Sequence, residues 1–380
     1  MMKSNTLGLY LHIPFCIRKC NYCDFLSGPC SEKQMDAYCH ALCREIALWG
    51  KDVKVKNKEV DTIFIGGGTP SLLSVSEISY IIQDIYRYFS VADDVEFSME
   101  CNPGTMSKEK LSAYAELGVN RLSIGMQSAV QRELEELGRI HTYGEFVTGY
   151  EMARSMGFDN FNIDVMSAIP GQTIESYEST LKSVLKLEPQ HISSYSLIIE
   201  EGTPFYEKYK ECPPVDEDTD RAMYEMTEEL LSDKGYRRYE ISNYSQKGYS
   251  CKHNLKYWQR KEDLGLGLGA SSFLEEQRFC NVGSHERYQK TVQRGKKPIE
   301  EIEPVSRTQA MAEFMYLGLR CMEGILMNEF ERCFGVPLMN VYGEVIDRYV
   351  SQGYMVRTGD YLALTNQGID VSNVIFSDFI

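Results

Sequence analysis

Leu7-Gly-Leu-Tyr-Leu-His-Ile-Pro-Phe-Cys16-Ile-Arg-Lys-Cys20-Asn-Tyr-Cys23-Asp-Phe25 runs from a short β-type segment straight into a loop with cysteines at i, i+4 and i+7. Three thiolates at that spacing can converge on one metal centre, and soft sulfur ligands select zinc or an iron–sulfur cluster. Zinc would normally take a fourth ligand nearby, and no Cys or His follows Cys23 within a two- to four-residue step. A cubane cluster on three protein ligands leaves one iron open as a docking point for a small molecule.

Similar β-type runs recur outward from this one: Asp61–Ile65, Val95–Glu100, Arg121–Ile124, Phe161–Val165 and Ile192–Leu197. Segments of helical period lie between them. Met35, Cys39, Leu42, Cys43, Ile46 and Trp49 form one apolar stripe, opened by Ser31-x-x-Gln34 as a capping box and stopped at Gly50. Ile78, Ile81, Ile82 and Ile85 form another, opened by Ser74-x-x-Glu77. Six strand–helix units call for parallel strands with crossover helices. Six are fewer than the eight of a closed barrel, so the expected fold is α/β, a partial (β/α)6 barrel over residues 1–205. Residues 206–300 follow a different pattern, with an acidic helical stretch from Asp216 to Leu231 and a glycine-rich run at Gly265, Gly267 and Gly269. Residues 301–380 read as helix, helix, turn, helix and a hairpin about Thr358-Gly-Asp360, an α+β, winged-helix-like unit.

Charge narrows the partners. Lys and Arg number 40 against 55 Asp and Glu, a net charge of −15, which argues against a nucleic-acid backbone. Residues 305–380 hold five arginines, no lysine and nine acidic residues, so a packing or lid role suits that unit better than DNA binding. No apolar run approaches the roughly 18 residues of a membrane span. The N-terminal stretch lacks the plan of a secretory signal, so a reducing, cytoplasmic setting is expected for the twelve cysteines. Cys39 and Cys43 then read as core residues on a helical stripe.

Other chemistry gathers at the strand ends. Gly66-Gly-Gly-Thr-Pro70 follows the second strand, Glu100 ends the third, Gln127 follows the fourth, and Asp164 lies on the fifth, with Arg139 in the next segment. In barrels, ligand sites gather at the C-terminal ends of parallel strands. Such convergence suggests one polar cofactor with amine, carboxylate and ribose groups.

With these residues in place the chain resembles the radical S-adenosylmethionine (SAM) superfamily, through Cys16-x3-Cys20-x2-Cys23 with Tyr22 before the last cysteine. LYLHIPFC, GGGTP, RLSIGMQ and NIDVMSAIPGQT resemble the branch of oxygen-independent coproporphyrinogen III oxidase and its relatives, from about residue 7 to residue 285. The resemblance implies that Cys16, Cys20 and Cys23 hold a [4Fe-4S] cluster whose fourth iron binds SAM. It implies SAM contacts at Tyr10, Tyr22, Gly67, Gly68, Thr69, Glu100, Gln127, Arg139 and Asp164. It also makes cleavage of SAM to a 5′-deoxyadenosyl radical open in principle.

Two departures weigh against the oxidase itself. Phe25 stands where the oxidase has a fourth cysteine, and the first strand starts by residue 7 without the oxidase's longer extension. Downstream, His253-Asn254-Leu-Lys-Tyr257-Trp258 and the run Leu264–Ala270 resemble the HemW-type heme chaperones. That resemblance implies heme contact by His253, Asn254, Tyr257 and Trp258, and transfer of heme to an unknown acceptor, with a respiratory protein at the membrane as the candidate. An imidazole beside two aromatics can ligate iron and stack on a porphyrin; the other reading is that His253 and Asn254 brace a loop while Tyr257 and Trp258 fill a core. Cys251 reads as an auxiliary ligand or a buried thiol. The alternative function is the oxidase's decarboxylation in porphyrin biosynthesis.

Overall fold

Alternation along the early strands creates two environments in one sheet. In the computed structural model, which describes residues 5–380, the six expected strands are β1 (Thr6–Ile13), β2 (Glu59–Gly67), β3 (Ser90–Cys101), β4 (Arg121–Gln127), β5 (Phe161–Ser167) and β6 (His191–Ser196). Each pairs in parallel with the next in chain order. Leu9, Leu11, Ile63, Ile65, Phe97, Met99, Leu122, Ile124, Ile163, Val165 and Ile192 belong to the main apolar core. Their alternates, Tyr10, Phe64, Glu100, Arg121, Ser123, Asn162, Asp164 and Ser193, line a cavity on the other face. The period-2 geometry of a strand therefore turns an apolar/polar alternation into an apolar outer layer and a polar lumen.

The two expected helices form over Glu32–Gly50 and Val75–Tyr88, and both capping boxes are closed. Their buried faces carry Cys39, Leu42, Ile46 and Trp49 on one, and Ile78, Ile81, Ile82 and Ile85 on the other. Cys43 is only partly buried, packed against the same core.

Residues 206–300 extend the sheet at both edges. β7 (Arg237–Glu240) and β8 (Asn243–Ser245) join through the antiparallel β6–β8 pairing. β9 (Asp263–Leu266) lies parallel to β1, and β10 (Ser271–Leu274), β11 (Gln277–Asn281) and β12 (Ile299–Pro304) follow antiparallel. The result is one open twelve-stranded sheet, with β12 and β7 as its edges.

The C-terminal unit has its own core, including Phe330, Phe334, Ile346, Leu362 and Ile375. Helices Arg307–Gly318, Met327–Phe334 and Leu338–Ser351 surround a small sheet of β13 (Ile325–Leu326), β14 (Met355–Thr358) and β15 (Tyr361–Leu364), in the order β13-β15-β14. The expected hairpin is present. The order of the helices differs, because β13 separates the first helix from the other two by pairing with β15. Glu313 ties this unit to the sheet through Arg260 (2.6 Å) and Arg278 (3.1 Å).

Candidate functional site

The cysteine loop leaves the C-terminal end of β1 and is pinned at several points. Phe15 is buried, and the backbone N–H of Cys16 donates to the Gly28 carbonyl at 3.0 Å. Asn21 reaches across to the segment after β4, its Nδ2 donating to the Glu136 carbonyl at 2.8 Å. His12 holds the far end, with Nε2 2.9 Å from the Leu26 carbonyl and Nδ1 3.1 Å from the Tyr10 hydroxyl. Cys16, Cys20 and Cys23 are half-buried free thiols. The Thr69 hydroxyl lies 3.7 Å from Cys16 Sγ and Arg139 Nη1 lies 3.8 Å from Cys20 Sγ, so a hydroxyl and a cation face two of the sulfurs.

Among the described residues no three His, Cys, Asp or Glu side chains gather to hold one metal ion. Three thiols on one loop are the donor set of an iron–sulfur cluster, and that chemistry fits the residues present.

The glycine turn after β2 is required by sterics. Gly67 has φ of +111°, and a Cβ there would stand 2.6 Å from the His12 ring. A Cβ on Gly68 would stand 2.6 Å from the Phe15 carbonyl oxygen, so the turn and the cysteine loop are in backbone contact. Gly67 N–H donates to Glu100 Oε2 at 3.0 Å. Asn102 Nδ2 donates to Thr69 Oγ1 (2.7 Å), and Arg139 Nη2 donates to Asn102 Oδ1 (2.9 Å) and the Gly125 carbonyl (2.7 Å). Gln127, with φ of +68°, accepts a hydrogen bond from the Tyr195 hydroxyl at 3.0 Å. Tyr22 packs against Leu137, Met166, Ile169 and Phe205.

Below this rim lies a cavity of about 240 Å³. Strand register stacks its walls: Glu100 beside Ser123, Ser123 beside Asn162, and Asp164 between Gly125 and Ser193. Burial, with Asp164 adding its charge, pushes the Glu100 carboxyl up to about 8. Burial also raises Asp164, against the hydrogen bond from Asn162 Nδ2 at 2.7 Å. A carboxyl pair so placed favours a cationic group entering from the rim.

The helix Lys252–Trp258 closes the lumen on one side. Its N-terminus is capped by a residue distant in sequence: Glu96 accepts the N–H groups of Lys252 (2.8 Å) and His253 (2.9 Å). Cys251 is a buried thiol, pushed up to about 12 by burial, with Sγ 3.5 Å from Glu96. His253 is 1% exposed and burial pushes it down to about 3, so its ring is neutral. Nδ1 lies 2.9 Å from Thr62 Oγ1 and Nε2 2.8 Å from the Tyr257 hydroxyl, so both ring nitrogens are engaged.

The structure thus gathers Tyr10, Glu100, Asp164, His253, Asn254 and Tyr257 around one cavity, and Cys20, Thr69 and Arg139 around an adjoining cleft. It separates Trp258, whose ring lies 5.3 Å from the Arg320 guanidinium of the C-terminal unit. Sequence reasoning missed His12, Asn102, Arg121, Ser123 and Asn162. For the three on β4 and β5, the signal was available in the polar alternates of Arg121-Leu-Ser123-Ile and Phe161-Asn162-Ile-Asp164.

Comparison with known proteins bears on the family and the fold. Residues 10–184 match the Radical SAM superfamily and residues 305–371 the HemN C-terminal domain. The chain is 34% identical to the heme chaperone HemW of Lactococcus lactis subsp. lactis (strain IL1403), covering 98% of this chain and 96% of that protein. It is 34% identical to the heme chaperone HemW of Bacillus subtilis (strain 168), covering 98% of each, and 35% identical to that of Escherichia coli (strain K12), covering 97% and 96%. The solved structure of coproporphyrinogen III oxidase (HemN) from Escherichia coli, a radical SAM enzyme, superposes with a TM-score of 0.86 over 99% of this chain and 90% of that one, at 21% identity.

Proposed function

Since the chain belongs to the family of the heme chaperone HemW, we propose that it binds heme and hands it to an acceptor protein, on a radical SAM scaffold that carries a [4Fe-4S] cluster and SAM. Cys16, Cys20 and Cys23 would hold the cluster, and Gly67, Gly68, Thr69, Glu100, Gln127, Arg139 and Asp164, with Tyr10 and Tyr22, would surround SAM. When bound, that pair supplies one-electron reducing chemistry. The chain's own residues bind, orient and shield it: His12 pins the loop, Arg139 presents a cation to Cys20, and Glu100 and Asp164 receive amine or hydroxyl groups.

The observation that carries the heme reading is the apolar fringe of the cysteine loop. Ile17 is 59% exposed, Phe25 58% and Leu26 43%. Exposed apolar groups of this size clustered on one loop mark a binding surface, and a flat, largely apolar macrocycle matches it. Phe25, in place of a further cysteine, contributes a ring face to that fringe. In this reading His253 braces the helix that walls the lumen, and Asn254 and Tyr257 face the cavity. The acceptor is a heme-requiring protein, with a respiratory protein at the membrane as the candidate.

Heme transfer tests this directly. Heme-loaded protein mixed with an apo-acceptor in membrane vesicles should lose heme faster than to a soluble heme scavenger. Equal rates would contradict a chaperone role.

A further inference from the structure

One side chain joins the two sulfur contacts at the rim. Asn102 Nδ2 donates to Thr69 Oγ1 at 2.7 Å, and the Thr69 hydroxyl in turn donates to Cys16 Sγ at 3.7 Å. On its other side Asn102 Oδ1 accepts from Arg139 Nη2 at 2.9 Å, while Arg139 Nη1 donates to Cys20 Sγ at 3.8 Å. A single amide thus closes a bracket that runs from one cysteine to the other.

The chemistry at each end permits one orientation of that amide. A guanidinium only donates, so Asn102 must turn its oxygen to Arg139 and its nitrogen to Thr69. A threonine hydroxyl carries one hydrogen, and with Asn102 filling its acceptor side that hydrogen is left for Cys16. Arg139 Nη2 is spent on Asn102 and on the Gly125 carbonyl (2.7 Å), which leaves Nη1 for Cys20. The backbone of Asn102, just past the end of β3, is itself fixed from both sides. Its N–H donates to Oγ of the buried Ser71 at 3.1 Å, and its carbonyl accepts from the Thr105 N–H (3.2 Å) and hydroxyl (2.7 Å).

Hydrogen bonds to cysteine sulfur stabilise the extra negative charge of a reduced iron–sulfur cluster and so raise its potential. We propose that Asn102 is a positioning residue that sets the cluster's reduction potential, by directing the Thr69 hydroxyl at Cys16 and the Arg139 guanidinium at Cys20 together. The inference rests on the assignment of Cys16 and Cys20 as cluster ligands and needs nothing from the heme reading.

The test uses the full chain after anaerobic cluster reconstitution, with SAM withheld so that no SAM contact enters the reading. Iron content and the cluster's midpoint potential, from a redox titration followed by electron paramagnetic resonance, are measured for wild type, Asn102→Leu, Thr69→Val and the variant carrying both. Expected is wild-type iron content throughout, with the reduction equilibrium of Asn102→Leu at least tenfold less favourable, a fall of about 59 mV for one electron. Thr69→Val should fall by less, since the Arg139 arm stays. The combined variant should fall no further than Asn102→Leu, because both changes break the same Cys16 contact. A merely structural Asn102 would change iron loading or unfolding and leave the potential alone. Wild-type potential in Asn102→Leu at full iron, or shifts that simply add, overturns the inference. Should Asn102→Leu take up no iron, Asn102→Asp is read in its place. Its carboxylate takes the Thr69 hydrogen away from Cys16, so a lower potential supports the inference and an unchanged one overturns it. Wild type that takes up no iron refutes the cluster assignment, and the inference with it.

Discussion

His253 Nε2 lies 2.8 Å from the Tyr257 hydroxyl, one turn further along the same helix, while its Nδ1 lies 2.9 Å from Thr62 on β2. The imidazole therefore links the helix to the sheet and fixes the ring of a residue that faces the lumen. His253→Ala leaves the buried Thr62 hydroxyl without its partner, frees the half-buried Tyr257 hydroxyl and opens a cavity. A loss of about 2–4 kcal/mol in unfolding free energy is expected. Denaturant unfolding of the metal-free chain measures it, and an unchanged midpoint would remove the bracing role.

The cysteine loop and the glycine turn act as one body. Cys20→Ser should lose the brown cluster absorbance and most of its iron while keeping the far-ultraviolet dichroism of the fold. Gly68→Ala leaves every thiol in place but pushes on the Phe15 carbonyl, beside Cys16. Its iron content should fall too, by about half or more. Iron and sulfide assays after anaerobic reconstitution check both, and full loading of Cys20→Ser would refute the ligand assignment.

Glu100 should matter for SAM and not for the cluster. It ends β3 at the rim, held by Gly67 N–H, and is separate from the thiols. Glu100→Gln removes the carboxylate and keeps the shape. At pH 9, where a carboxyl pushed up to about 8 is ionised, loss of a hydrogen bond to a charged partner is worth about 1.5–3 kcal/mol, hence roughly ten- to hundredfold weaker SAM binding with unchanged iron content. Equal SAM affinity in equilibrium titration would contradict the contact.

Glu45 gives a pH dependence with a definite sign. It is buried on the first helix, accepting from Gly267 N–H (2.8 Å), Asn281 Nδ2 (2.7 Å) and the Tyr288 hydroxyl (2.6 Å), and burial pushes it up to about 7. The folded state thus holds a proton that the unfolded chain releases near the ordinary carboxyl value. The stability this contributes is whole below that value and is lost as pH rises to about 7. Between pH 5 and 7, wild type should lose stability relative to Glu45→Gln, and above pH 8 the difference should be flat. Parallel unfolding curves across that range would contradict the shift.

Much of this architecture was legible in the residues alone. Short β-type runs marked β1 to β6, and serine-led capping boxes marked both early helices. The spacing of Cys16, Cys20 and Cys23 located the rim before any coordinates. The edge strands β7 to β12 were not legible, because segments as short as Asp263–Leu266 carry too little period to separate strand from turn. Arg121 and Asn162 escaped notice for a different reason. Their polar alternation lies within single segments, but which of them share a wall comes from cross-strand register, which sets Ser123 beside Glu100 and Asn162. Nothing local marks Glu45 as buried, because the groups that cover it, Gly267, Asn281 and Tyr288, lie far downstream.

The central claim is heme handling in place of porphyrin oxidation, and one sample tests both. Cluster-loaded protein under anaerobic conditions is divided, one half titrated with heme and followed by its Soret band, the other given coproporphyrinogen III, SAM and reductant and examined for vinyl products. Saturable heme binding with no vinyl product is the predicted result. Vinyl product formation without saturable heme binding would contradict it.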